Sequence, residues 1–189
     1  MMEESDSTTG GFYGRRLSQH LGMEGDCLLR IKREGQLALA MTRLTCSQFV
    51  RERTAVIPSE PAFSILQQLG DLDRHSCWLA GRPRYSGAFG AGTVSVINLM
   101  DNPQCEFKGP FDAVQYYVPQ TALDEFAREH GAKPISTLKW SSDQRDPFLS
   151  TLSSVLLSAV EQDPTSNQLF VDQIGLSVLA HFAQTYGGM

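Results

Sequence analysis

Between residues 36 and 118 the sequence is cut into short apolar or alternating segments, and no interval between them reads as a helix. The segments run over 37–44, 62–69, 77–80, 93–99 and 111–118. Pro58 and Pro61, Gly70-Asp71, Gly81-Arg82-Pro83, Gly87, Gly90 and Gly92, Asn102-Pro103 and Gly109-Pro110 punctuate them. Parallel strands need a crossover, usually helical, whereas antiparallel strands need only a turn. The spacing therefore predicts a β-sandwich or barrel rather than a βαβ sheet.

The texture changes after Pro119. Thr121-Ala122-Leu123-Asp124 resembles a capping box and opens a short helix that Gly131 can close. Two longer helices follow, each introduced by Asp-Pro (Asp146-Pro147 and Asp163-Pro164), with the aspartate as cap and the proline in the first turn. The first carries Phe148, Leu149, Leu152, Val155, Leu156, Ala159 and Val160 at helical spacing. The turn near 162–166 is short enough to make the pair an antiparallel hairpin.

The last helix is apolar on two sides. Leu169, Leu176, Leu179, Ala180 and Ala183 form one lobe; Phe170, Val171, Ile174, Val178 and Phe182 form the other. One core needs one stripe, so the second lobe predicts a dimer interface through Phe170, Ile174, Val178 and Phe182. The expected fold is α+β: a cupin-like β-barrel or sandwich followed by a C-terminal antiparallel helical hairpin. Residues 1–14, polar and rich in Ser, Thr and Gly, are expected to be a disordered N-terminus. Residues 15–131 form the β-domain with short flanking helices, one of them a weak helical pattern over 12–21 that Gly22 would end. Residues 132–189 form the hairpin.

Chemistry-bearing patterns are sparse. His20, His75, His130 and His181 form no H-x-H or H-x-x-x-H, so no metal site and no cofactor is expected. Cys27, Cys46, Cys77 and Cys105 contain no C-x-x-C pair and read as thiols in a reducing compartment. His75 and Cys77, two apart in a strand, point to one face. They lack a G-x-C motif or a third orienting group, so no catalytic residue is assigned. The run 87–92 (Gly-Ala-Phe-Gly-Ala-Gly) lacks a G-K-[ST] ending and a following helix, and reads as a turn between strands rather than a phosphate loop. Aromatic residues of the β-region could line a small-molecule cavity. Phe63, Trp78 and Tyr116 are the candidate ligand contacts, although periodicity alone does not say which strand face points inward.

A formal charge of −5 offers no electrostatic footprint for nucleic acid. The two long helices carry no Lys or Arg, and the basic run 30–33 is flanked by Glu24, Asp26 and Glu34, so no DNA-contacting residue is assigned. No apolar run approaches a membrane span, and the acidic Met2-Glu3-Glu4 start is unlike a signal peptide. A cytoplasmic protein without a membrane partner is expected.

Several segments together resemble the amino-terminal region of AraC-type bacterial transcription regulators. They are Ala62-Phe63-Ser64-Ile65 with Gln68-Leu69, the run 78–83 (Trp-Leu-Ala-Gly-Arg-Pro), and the run 91–96 with Leu99. The run 111–119 with Ala122-Leu123, and the stretches 169–172, 179–182 and 186–188, belong to the same set. The resemblance covers residues 36–188. It implies a cupin-like domain that senses a small effector, a helical hairpin that forms a homodimer, and helix-turn-helix units that contact DNA. The sequence stops where the linker to those units would begin. A cupin-fold enzyme and a purely structural dimerisation domain are the alternatives from other classes.

Overall fold

The computed structural model describes residues 11–47, 52–162 and 167–188. A first helix, α1 (Gly14–Leu21), leads into β1 (Glu24–Arg33) and β2 (Gln36–Cys46). β3 (Ala62–Gln68), β4 (Leu72–Leu79), β5 (Arg82–Phe89) and β6 (Thr93–Asn98) follow. A 3-10 turn (Leu99–Asp101) then precedes β7 (Gln104–Lys108), β8 (Phe111–Pro119) and α2 (Gln120–Glu129). The chain ends through β9 (Thr137–Leu138), β10 (Ser141–Arg145), α3 (Pro147–Gln162), α4 (Gln168–Thr185) and β11 (Gly187–Gly188).

The class is α+β, built in three layers. A six-stranded sheet in the order β1-β2-β8-β3-β6-β10 faces a three-stranded sheet in the order β5-β4-β7. The two sheets share no ladder, so the β-part is an open sandwich and not a closed barrel. One apolar cluster fills the space between the sheets and includes Leu44, Leu72, Phe89, Phe107 and Phe111. A second lies on the opposite face of the large sheet, where Leu39, Phe63, Ile65, Val96, Tyr116 and Val118 meet α2, α3 and α4. Both faces of its central strands β2, β8, β3 and β6 are therefore covered, which explains why these read as nearly continuous apolar runs. A two-stranded ribbon of β9 and β11 ties the chain end to the segment after α2.

Local chemistry accounts for the punctuation. The β1–β2 hairpin turns on Glu34-Gly35 (φ 48° and 81°) and the β4–β5 hairpin on Ala80-Gly81 (φ 48° and 75°). Two successive residues at positive φ are the signature of the tight turn whose twist matches paired strands. Arg82 and Pro83, expected to belong to the second turn, instead begin β5, an edge strand where a proline costs no ladder bond. The run 87–92 is split: Gly87, Ala88 and Phe89 complete β5, and the turn is confined to 90–92. Strands β1 and β7 and most of β5 had no counterpart among the expected segments.

At the helix starts, Asp146 caps α3 with Pro147 first in the helix: its Oδ1 accepts from the Leu149 N–H at 2.8 Å. The expected capping box of α2 does not form. The helix begins two residues earlier, with Pro119 rather than Thr121 at the cap position and no side-chain cap. The Asp163-Pro164 cap lies outside the described residues, as does the expected disorder over 1–10. Residues 11–14 are ordered: Phe12 is 2% exposed, its N–H donates to Glu60 Oε1 at 2.7 Å, and α1 starts at Gly14. Gly22 ends α1 in the left-handed region as expected (φ 68°).

The helical layer is an antiparallel pair. The start of α3 meets the end of α4 where the Phe148 and His181 rings lie 4.8 Å apart. The hairpin does not stand apart from the β-domain. β10 extends the large sheet beside β6, and Leu149, Leu156, Val171, Val178 and Phe182 belong to the same core as the strands. At Gly175 the helix α4 approaches β1 so closely that an added Cβ would lie 2.6 Å from Ile31 Cγ1.

Candidate functional site

Alternation along β3 and β8 decides what faces the space between the sheets. Phe63, Ile65 and Gln67 point to the helices, while Ser64 and Leu66 point to the small sheet. On β8, Tyr116 faces the helices and Gln115 the small sheet. Across from them β4 contributes His75 and β7 contributes Cys105 and Phe107. These residues surround a cavity of about 30 Å³, roofed at one end by Leu17 and Leu21 of α1. That is room for one or two water-sized molecules.

The wall is apolar with a few polar atoms set into it. His75 is 1% exposed, stacked on Phe107 (ring centroids 4.8 Å apart, planes 11° apart) and edge-on to Phe89 at 4.7 Å. Neither of its ring nitrogens has a hydrogen-bond partner among the described residues. Burial pushes the imidazole down to a pKa of about 4, so the ring is neutral at pH 7 and offers one donor and one acceptor. Gln115, also 1% exposed, donates through Nε2 to the Phe12 carbonyl and to Ser64 Oγ, each at 3.2 Å. Its Oε1 accepts from no group among the described residues. A buried polar group left unpaired costs about 1–3 kcal/mol. A guest that both donates and accepts would recover part of that cost.

The three ligand contacts expected from sequence lie elsewhere. Phe63 and Tyr116 sit on the helix-facing side of the large sheet, where the Tyr116 hydroxyl is 2.6 Å from Ser153 Oγ of α3. Trp78 is on the outer face of the small sheet with the Arg53 guanidinium 4.3 Å from its ring centroid. The structure brings Phe63 and Tyr116 into one cluster, leaves Trp78 apart, and places none of them in the cavity wall. His75 and Cys77 do share the inner face of β4 as expected. The positions missed were Ser64 and Gln115. The one available signal was a glutamine in the middle of an apolar strand.

The expected dimer residues divide. Val178 and Phe182 are 0% exposed and belong to the core of their own chain, with Phe182 edge-on to Tyr116 at 5.5 Å. They are covered by the sheet and are unavailable to a second copy. Most of the second apolar lobe of α4 is thus satisfied within the chain, by α2, α3 and the large sheet together. Phe170 is 48% exposed and Ile174 half-buried, at the outer side of the hairpin. There a groove of about 500 Å³ lies between α3 and α4, lined by Val155, Ala159 and Phe170 among small polar residues. Phe148, 58% exposed, lies outside this lining, at the start of α3 beside His181.

Among the described residues, no group of three or more His, Cys, Asp or Glu side chains is placed to hold a metal ion, and no helix is long and apolar enough to cross a membrane. No known family profile matches the chain, and no curated protein does. Several solved structures are similar to it. One is a Cupin 2 conserved barrel domain protein from Salinispora arenicola CNS-205, at 14% identity, covering 57% of this chain and 85% of that one with a TM-score of 0.39. Another is the DMSP lyase DddQ from Ruegeria pomeroyi DSS-3, at 16% identity over 59% of this chain and 53% of that one, with a TM-score of 0.37. A third is a mutant of oxalate decarboxylase OxdC from Bacillus subtilis, at 9% identity over 68% of this chain and 40% of that one, with a TM-score of 0.37. At these identities and scores they assign no activity to this chain.

Proposed function

We propose that the chain is the effector-sensing and dimerisation domain of a bacterial transcription regulator of the AraC type. Its effector is a small neutral molecule bearing hydroxyl or amide groups, held between the two sheets. The observation that carries this reading is the pair of unpartnered groups, His75 and Gln115 Oε1, in an otherwise apolar cavity. Neutrality follows from the uncharged imidazole and from the lack of any carboxylate or cation in the wall. The size follows from the volume.

The regulatory part rests on the sequence resemblance and on the way neighbouring residues face two layers. On β8, Gln115 faces the cavity while Tyr116 bonds to Ser153 of α3; on β3, Ser64 faces the cavity while Phe63 and Ile65 pack toward the helices. A guest that favours one arrangement of these strands shifts the hairpin with them, which is what a sensor must do. The hairpin joins two copies through the groove side of α3 and α4, and the dimer spaces two DNA-binding units that lie outside these residues.

A fusion of the chain to the helix-turn-helix part of an AraC-type regulator tests this. Reporter transcription in such a fusion should depend on Phe148 and Phe170 at the hairpin, and should change with a small hydroxyl- or amide-bearing solute. A reporter indifferent both to Phe148→Lys with Phe170→Lys and to every such solute would contradict the reading.

A further inference from the structure

Cys77 of β4 and Cys105 of β7 stand directly opposite each other in the small sheet. Cys105 uses both of its backbone groups on the other side. Its N–H donates to Thr54 Oγ1 at 3.0 Å, and its carbonyl accepts from the Thr54 N–H at 2.8 Å. An extended residue points its N–H and C=O to the same side, so neither group reaches Cys77. The facing residues are therefore a non-hydrogen-bonded pair, in which side chains come closest. Such pairs hold their Cα atoms about 4.5 Å apart, within the range of about 4.4–6.8 Å that a disulfide spans.

The surroundings favour reaction between these two sulfurs. Both side chains enter the cluster between the sheets, 2% and 5% exposed. Cys105 lines the cavity. The proximity of Cys105, together with the Arg84 charge, draws Cys77 below the usual thiol range against the effect of burial. The same contact and burial raise Cys105. Cys27 and Cys46 face Thr42 and Phe111 across their ladders and have no cysteine opposite.

We infer that Cys77 and Cys105 are a peroxide-sensitive pair that closes to an intramolecular disulfide joining β4 to β7. One sulfur attacks a peroxide oxygen, the O–O bond breaks, and a sulfenic acid forms with release of one water. The second sulfur then attacks the first, the S–O bond breaks, and the oxygen leaves as a second water with the remaining thiol proton. Two thiols and one hydrogen peroxide give one disulfide and two waters. Hydrogen peroxide is little larger than water and suits the cavity beside Cys105, which a bulky disulfide reagent does not.

The test is to treat the folded chain with hydrogen peroxide, block remaining thiols after denaturation, and map the peptides by mass spectrometry. Two of the four cysteines should become unreactive as a single linked pair, Cys77 with Cys105, the mass should fall by two hydrogens, and dithiothreitol should restore both. In Cys105→Ser the oxidation should stop at a sulfenic acid on Cys77, trapped by dimedone, with no linked peptide. Four intact thiols in the treated wild-type chain would overturn the inference. So would a linkage through Cys27 or Cys46, or irreversible oxidation of either sulfur of the pair without closure.

Discussion

His75 lies flat on Phe107, ring centroids 4.8 Å apart, and neither imidazole nitrogen is bonded to any of the described residues. The stack holds the ring but leaves its polarity unused. Replacing it with a phenyl ring keeps the stack and removes the unpaired nitrogens, so His75→Phe should leave the melting temperature unchanged or raise it. Differential scanning calorimetry checks this; a loss above about 2 kcal/mol would mean that the imidazole is bonded in a way the geometry does not provide.

The same residue sets a pH window. Its folded pKa of about 4 lies below the 6.5 of an unperturbed imidazole because burial disfavours the charged form. As pH falls from about 6.5, the unfolded chain takes up the proton first. Stability should therefore decline between about pH 6.5 and pH 4, by about 3 kcal/mol if the whole shift is realised. Urea titrations across this range should show the decline in the wild-type chain and a shallower one in His75→Phe.

A second clasp works at lower pH. Asp146 Oδ2 accepts from His181 Nε2 at 2.6 Å and from the Tyr186 hydroxyl at 2.7 Å, while Oδ1 caps α3. Burial would raise this carboxyl, but the bonds from His181, the Leu149 N–H and Tyr186 outweigh it and hold the pKa below its usual value. The stabilisation it supplies is present above the ordinary carboxylate range and is lost as pH falls through the lowered value. Asp146→Ala removes the cap and leaves two donors unpaired, and should cost about 2–4 kcal/mol at pH 7. Asp146→Asn, which can keep the cap, should cost less. Equal losses in the two variants would show that the side-chain acceptor is not what matters.

The hairpin should join two copies through its outer groove. Phe170, 48% exposed, lines that groove, and Phe148, 58% exposed, stands at the start of α3. Phe148→Lys with Phe170→Lys should convert a dimer to a monomer in light scattering across a concentration series, while the chain stays folded because neither side chain is in the core. Val178→Lys, by contrast, should unfold the chain. A wild-type monomer at high concentration, or a dimer unaffected by the double change, would remove the hairpin from assembly.

The α+β class and the Asp146-Pro147 helix start were legible in the sequence because turn residues and caps act locally. Strand β1 was not, because Arg30, Lys32 and Arg33 hide the buried Ile31 in a charged run. The inner face of β3 and β8 was not legible either. With helices on one side and a second sheet on the other, Phe63 and Ser64 both sit in apolar surroundings, and alternation loses its contrast. The same burial on both sides misassigned Val178 and Phe182. A helix covered by a sheet and by two other helices reads, in sequence, like one that awaits a partner.

The central claim is that the cavity beside His75 and Gln115 takes a small, neutral, hydrogen-bonding guest. The most direct measurement follows the His75 ring nitrogens by ¹⁵N NMR during titration with a library of neutral hydroxyl- and amide-bearing compounds of about two or three non-hydrogen atoms, the size of methanol or formamide. The account predicts that at least one compound produces a saturable, one-to-one shift of these resonances at constant pH, and that Gln115→Leu weakens it about tenfold or more, as expected for the loss of one buried hydrogen bond. Ring nitrogens that respond to pH alone, across the whole library, would contradict it.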